Sequence, residues 1–259
     1  MNKAVIFDWA GTTVDYGCFA PVQAFVEVFR HFGVKPTMEE TRKPMGMLKI
    51  DHIRTMLAME RIASEWERVR GAAPTEDDVQ ALYAQFEEKL LSILHRFGTP
   101  KPEVLDTVAT LRERGIKIGS TTGYTDKMMD IVAPAAAAAG YAPDFMVTPD
   151  GTEGKGRPYP YMVFRNLEAL GIASVVDAVK VGDTVSDVRE GKAAGLYTIG
   201  VIEGSSEMGL LQDEYEALSA ADKDEACARV AATFSAAGAD ACIRSLGELP
   251  TLLSQVKGW

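Results

Sequence analysis

Short apolar runs and helical stripes alternate along much of this chain. The run "KAVIF" is β-branched and aromatic, and it stops at Asp8, which predicts a buried parallel strand. Four similar runs come much later. "IKIGSTTG" follows the amphipathic "PEVLDTVATLRERG", and "PDFMVTPD" follows an alanine-rich helix. "AVKVGDT" follows "PYMVFRNLEALG", and "LYTIGVIEG" follows "SDVREGKAAG". Short strands alternating with amphipathic helices predict an α/β fold: a doubly wound, mainly parallel, Rossmann-like sheet core. Polar groups cluster just past the last residue of each strand, the edge where such sheets place ligands.

The alternation breaks between about Tyr16 and Pro100. "APVQAFVEVFRHFG", "MEETRKPMGMLKIDHIRTMLAMERI" (divided near Pro44) and "TEDDVQALYAQFEEKLLSILHRFG" carry helical periodicity and no strand. An α-helical cap domain inserted after the first strand is expected over residues 17–100, with residues 1–16 and 101–259 forming the catalytic core. Turn formers in "DYGCFAP" and "GTPKPE" mark the two crossings. "APAAAAAGYAP" reads as a surface helix with a glycine stop. The C-terminal part reads as helix, a short strand near "ADACI" and a closing helix, with no chemistry assigned.

Composition narrows the partners. The 259 residues are 47% hydrophobic and 25% charged, with net charge −10 and pI about 4.9. Such a surface argues against nucleic acid and anionic membranes. An anionic substrate would then need a metal ion and local cations. Cys18, Cys227 and Cys242 are too few and scattered for a disulfide framework. With no leader-like or membrane-length apolar segment, a cytoplasmic location is expected.

Three segments carry candidate chemistry. Asp8 ends the first strand, and Gly11 and Thr12 follow within four residues, which exposes a carboxylate able to attack phosphorus. "GSTTGYT" offers Thr122 and Gly123 as a phosphate cradle near a helix N-terminus. "KVGDTVSD" places Asp183 and Asp187 at a strand-to-helix turn; with Asp8 they suit a hard, oxygen-ligated ion such as Mg²⁺. Taken singly, Asp8 reads as a polar loop residue, Asp183 as a helix cap and Asp187 as a solvated helix residue.

In this order and on this alternation, the three segments resemble the haloacid dehalogenase superfamily. That resemblance implies Asp8 as nucleophile and Mg²⁺ ligand, the Ala10 carbonyl and Asp183 as further ligands, and Asp187 as support for the metal. It also implies a basic residue in "GKGRPYP". Arg157, directly before Pro158, fits that place, and Lys155 competes for it.

Ala10 stands where most phosphatases of the superfamily carry a second aspartate that protonates the leaving group. Losing such help costs about 10²–10⁴-fold in rate, so the leaving group is expected not to be an ordinary alkoxide. A helix from about Met45 would put Met45, Lys49, His52 and Ile53 on one face. Apolar company lowers the pKa of a lysine and leaves a neutral amine that condenses with an aldehyde; a snorkelling lysine is the structural alternative. An iminium on Lys49 would accept the electrons of a breaking carbon–phosphorus bond, and no acid at position 10 would be needed. "AVIFDWAGTTVDYGCFAP", "RKPMGMLKIDH", "RIASEWERV", "IKIGSTTGYT", "GRPYP" and "KVGDTVSD" are similar to the phosphonoacetaldehyde hydrolase branch of the superfamily over nearly the whole chain.

That narrower resemblance implies Lys49 as the Schiff-base residue, with Met45 and Gly46 lining the aldehyde pocket and Cys18 and Tyr124 nearby. For Met45 and Cys18, core packing stays open as an alternative. His52 is implied in proton transfer or in orienting the lysine, against a purely structural histidine. Mg²⁺ dependence, closure of the cap, a homodimer formed through it, and a place in 2-aminoethylphosphonate breakdown are implied too. A Mg²⁺-dependent ester phosphatase, a dehalogenase and a non-catalytic phosphate-binding protein are the competing readings.

Overall fold

In β1 (Lys3–Phe7), Ala4 and Ile6 pack into one hydrophobic layer and Val5 and Phe7 into another, and all four are fully buried. This two-sided burial is why the strand reads as a continuous apolar run. The computed structural model describes residues 3–256 and 258–259. The remaining strands are β2 (Ile116–Thr121), β3 (Phe145–Val147), β4 (Ala178–Gly182), β5 (Tyr197–Val201) and β6 (Ala241–Ile243). They form one sheet in the order β3-β2-β1-β4-β5-β6, every neighbouring pair parallel. The order reverses between β1 and β4, so the ligand crevice is expected at their C-terminal ends. Phe7 registers with Ser120 on one side and Val181 on the other, which brings Asp8, Thr121 and Gly182 to the same edge.

Between β1 and β2 lie α1 (Phe19–His31), α2 (Met38–Arg42), α3 (Lys49–Leu57), α4 (Glu60–Arg70) and α5 (Glu76–Leu94). Thr37 and Thr75 start α2 and α5 with capping boxes, and Gly71 ends α4 in the left-handed region. α1 and α3 pack on α5, and Phe25 stacks between Phe86 (4.1 Å) and His52 (3.8 Å). The two crossings into this helical stretch sit together: Val14 bridges Pro100, and Lys101 N–H donates to Thr13 O at 2.8 Å.

The expected helix from Met45 begins instead at Lys49; residues 43–46 form turns and Met47 a bend. Gly46 has φ +82°, and the Met45 carbonyl accepts from Ser186 Oγ at 3.0 Å. The backbone of this segment is thus committed to the core rather than to a helical ladder. The same-face reading survives for Lys49, His52 and Ile53, all buried on α3.

The other helices are α6 (Val104–Glu113), α7 (Asp126–Ala138), α8 (Tyr161–Leu170), α9 (Val185–Ala194), α10 (Gln212–Glu216), α11 (Ala220–Ala237) and α12 (Leu249–Leu253). The C-terminal order helix, strand, helix is as expected. Among the described residues, no helix is long and apolar enough to cross a membrane.

Candidate active site

Asp8 follows β1 directly, and its N–H donates to Val181 O at 2.9 Å, so its place is fixed by the sheet. The chain then turns sharply: Thr12, Thr13 and Val14 N–H all donate to Trp9 O. Gly11 is required here. It has φ +91°, and a Cβ would lie 2.0 Å from Asp183 Oδ2. The glycine of the opening motif therefore makes room for a carboxylate from β4. Thr12 Oγ1 donates to Asp183 Oδ1 at 2.9 Å.

Thr184, not Asp183, caps α9: its Oγ1 accepts from Asp187 N–H at 3.1 Å and donates to Asp187 Oδ2 at 2.5 Å. Asp183 keeps its carboxylate for the crevice. Asp187 is fully buried rather than solvated. One oxygen from each of Asp8, Asp183 and Asp187 lies within 4.8 Å of the others. Burial, then the charges of Asp8 and Asp187, push the Asp183 carboxyl well above its usual range. Burial also pushes Asp187 up, but Arg157 and Lys180 outweigh it and hold the carboxyl below the usual value. Three buried carboxylates this close are costly without a cation, and their oxygens suit a hard divalent ion.

Arg157 occupies the centre of the charge network. Nη2 donates to Asp8 Oδ1 at 2.6 Å and to Thr121 Oγ1 at 3.0 Å, and lies 3.0 Å from Asp187. Nε donates to Glu190 Oε2 at 3.0 Å. Lys155 is exposed, 3.5 Å from Glu153, and takes no part.

Lys180, Glu190 and Thr121 were not anticipated from the sequence. Lys180 Nζ is fully buried, 2.8 Å from Asp187 Oδ1 and 3.1 Å from Thr121 Oγ1. A lysine inside "AVKVG" is a signal in itself, since an unpaired charge is not tolerated in a central strand. Glu190 lies three residues after Asp187 on α9, hence on the same face.

One narrow cavity is lined by Asp8, Ala10, Cys18, Gly46, Lys49, Thr122, Gly123, Tyr124, Arg157 and Thr184. Its free volume is about 10 Å³, close to the least that admits one water. Lys49 Nζ sits 5.1 Å from the Tyr124 ring centroid. Burial pulls the Lys49 ammonium pKa down, partly opposed by the Asp8 carboxylate. Burial drives the Cys18 thiol and the Tyr124 phenol well up, so both stay protonated. Thr122 Oγ1 accepts from Tyr124 N–H at 3.1 Å, which shapes the turn ahead of α7.

Met45 and His52 do not line the cavity, though both are buried beside it. His52 Nε2 meets Thr41 O at 2.8 Å, so Nε2 carries the proton there, and Nδ1 is buried without a partner. Burial, then Lys49, keep the imidazole neutral, well below the usual histidine pKa.

Comparison with known proteins gives the family. The haloacid dehalogenase-like hydrolase family model matches residues 2–195. The chain is 53% identical to a phosphonoacetaldehyde hydrolase of Bacillus cereus, over 98% of this chain and 96% of the relative. It is 54% identical to one of Lysinibacillus sphaericus, over 98% and 94%. It is also 53% identical to a bifunctional phosphonoacetaldehyde hydrolase/aminoethylphosphonate transaminase of Clostridioides difficile, of which it spans 40%. The crystal structure of a phosphonoacetaldehyde hydrolase-like protein from Oleispira antarctica superimposes with TM-score 0.94 at 36% identity, covering 98% of this chain and 92% of that one. With the family model covering three quarters of it and full-length relatives above half identity, the chain belongs to the haloacid dehalogenase-like hydrolases and, within them, to the phosphonoacetaldehyde hydrolase family.

Proposed function

We propose that this chain hydrolyses the carbon–phosphorus bond of phosphonoacetaldehyde to acetaldehyde and inorganic phosphate. The observation that carries the reading is a buried amine, Lys49, and a strand-end carboxylate, Asp8, in one narrow cavity with alanine at position 10. An ester phosphatase would want an acid at that position and leaves Lys49 without a task.

The Lys49 amine adds to the aldehyde carbon, and loss of water gives an iminium. Asp8 attacks phosphorus as the carbon–phosphorus pair moves onto the methylene carbon and the iminium collapses to an enamine. A proton returns to that carbon. Water hydrolyses the regenerated imine to acetaldehyde and free Lys49, and water cleaves the aspartyl-phosphate to phosphate and Asp8. Arg157 and the Thr122–Gly123 turn hold the phosphonate oxygens, with Arg157 already fixed by Glu190. Tyr124 and Cys18 wall the aldehyde side. His52, kept neutral, supports Lys49 from behind the cavity wall. A divalent cation, Mg²⁺ in this reading, would be held by Asp8, Asp183, Asp187 and the Ala10 carbonyl, and would supply positive charge that offsets the repulsion between the Asp8 carboxylate and the phosphonate.

The free volume at the site is too small for the substrate, so the helical stretch 17–100 acts as a cap that opens for entry and closes for reaction. Family resemblance supports a homodimer formed through that cap, and three free, scattered cysteines support work in the cytoplasm. The bifunctional relative joins its hydrolase to an aminoethylphosphonate transaminase. Oxidative removal of that amine yields this aldehyde, which supports a place in 2-aminoethylphosphonate breakdown.

Borohydride added with phosphonoacetaldehyde, followed by peptide mapping, tests the reading. A reduced two-carbon adduct on Lys49 is expected; an adduct elsewhere, or none, removes the imine step.

A further inference from the structure

Arg42 ends α2, in the helical stretch, yet its guanidinium reaches the core. Nη1 donates to Gly17 O at 2.7 Å and to Ser206 O at 3.2 Å. The guanidinium lies over the Phe19 ring, 4.7 Å from its centroid. A Cβ on Gly209 would stand 3.1 Å from Arg42 Nε, so the loop after β5 closes tightly around it. Among the described residues, all hydrogen bonds of its guanidinium go to Gly17 and Ser206. A half-buried arginine aimed at carbonyls rather than at a carboxylate fixes positions more than it pairs charge.

The residue it grips is joined to the carboxylate cluster. Ser206 N–H donates to Asp183 Oδ2 at 2.7 Å, while Thr12 Oγ1 holds Oδ1 at 2.9 Å. Two donors, one on each oxygen, set the rotation of the Asp183 carboxylate. The turn that crosses into the helical stretch is tied to the same loop, since Gly17 N–H donates to Gly204 O at 2.8 Å. Arg42 thus closes a ring of contacts that runs from the helical stretch through Gly17 and Ser206 to Asp183.

We propose that Arg42 is a positioning residue that couples docking of the helical stretch to the orientation of Asp183, acting through the backbone of Ser206. The inference rests on the reading that Asp8, Asp183 and Asp187 hold a divalent cation. By linkage the coupling runs both ways: a docked cap tightens the cation site, and a bound cation favours the docked cap.

The test is calorimetric titration of Mg²⁺ into the substrate-free parent, Arg42→Met and Arg42→Lys, with thermal unfolding of each without cation. Methionine keeps an apolar stem over Phe19 and removes every donor. Arg42→Met is expected to bind Mg²⁺ about 10-fold or more weakly, the usual size for loss of a group that orients a ligand. Arg42→Lys, which retains one cationic donor, is expected to recover part of that loss. An Arg42→Met protein that melts earlier but binds Mg²⁺ like the parent overturns the coupling and leaves a packing role. If Arg42→Met does not fold, Arg42→Lys decides: weaker Mg²⁺ binding upholds the coupling, and unchanged binding overturns it. A parent that binds no divalent cation takes down the cation site itself, and the coupling with it.

Discussion

Arg157 Nη2 lies 2.6 Å from Asp8 Oδ1, with both side chains buried and Glu190 holding the far side of the same guanidinium. Against a lowering by burial, Asp187, Asp8 and Glu190 together raise the Arg157 pKa well above its ordinary value, so the residue is a permanent cation beside the Asp8 carboxylate. Arg157→Lys keeps a charge but loses the fork that spans Asp8 and Glu190. Phosphate release is expected to fall about 10²–10³-fold, the cost of removing a donor aimed at developing charge. Borohydride trapping on Lys49 should persist. Near-parental phosphate release from Arg157→Lys would contradict the role.

Lys49 should form its imine below the pH at which an ordinary lysine would. Burial lowers the Lys49 pKa, and a lysine in water titrates near about 10.4. The rate of borohydride trapping is therefore expected to rise with pH to a midpoint below that value. Lys49→Arg, which stays protonated, should show neither trapping nor turnover. A midpoint at the ordinary lysine value would mean that the amine titrates in water.

The sheet is legible because its four central strands, β1, β2, β4 and β5, are buried on both faces and read as plain apolar runs, and because the helices between strands carry apolar stripes. Asp8 and Asp183 stand just past strand ends, and Asp187 follows in the first turn of α9, so the chain order alone puts them together. The segment around Met45 was misread because apolar residues at helical spacing look alike whether they face a helix core or another part of the chain. There, Gly46 and the Ser186 contact decide, and both depend on tertiary neighbours. Thr121, Glu190, Ser206 and Arg42 escaped notice for a related reason. A threonine in a strand or an arginine at a helix end has many ordinary uses, and only the three-dimensional contacts select one.

The acidic cluster should make stability depend on divalent cations. Asp8, Asp183 and Asp187 are buried together, so a cation that binds only the folded chain stabilises it by mass action. Mg²⁺ at about 100 times its Kd is expected to add about 2.7 kcal/mol, seen as a higher Tm that EDTA abolishes. Asp183→Asn should blunt the effect. A Tm indifferent to both Mg²⁺ and EDTA would argue against the site.

Asp15 gives a pH dependence of defined sign. Its carboxylate accepts from Phe19 and Ala20 N–H, 3.0 Å each, and anchors the start of α1. Burial pushes its pKa from 3.8 up to about 7, with those two bonds, Arg42 and Lys49 opposing. Between these values the folded chain keeps a proton that the unfolded chain has released, so the Asp15 contribution falls as pH rises from 3.8 to about 7. The full span is worth at most about 4 kcal/mol. The stability of the parent minus that of Asp15→Asn, from denaturant unfolding, is expected to decline across that window. A difference that is flat or rising would show that Asp15 is ionised throughout.

Gly123 and Gly46 meet where the helical stretch docks on the core, and the contact is too close for a side chain. A Cβ on Gly123 would lie 2.7 Å from Met47 O and 2.9 Å from Gly46 O, both backbone atoms that cannot turn aside. The three nearest atoms all belong to the docking segment, so the clash bears on closure and leaves the core sheet alone. Gly123→Ala is therefore expected to hold the cap ajar. Turnover should drop about 10²-fold, as for other small misplacements of a reacting group. The far-ultraviolet dichroism should match the parent, and the solution scattering should show a larger radius of gyration. If Gly123→Ala turned over normally at an unchanged radius, the closed contact between these two glycines would not be part of the working cycle.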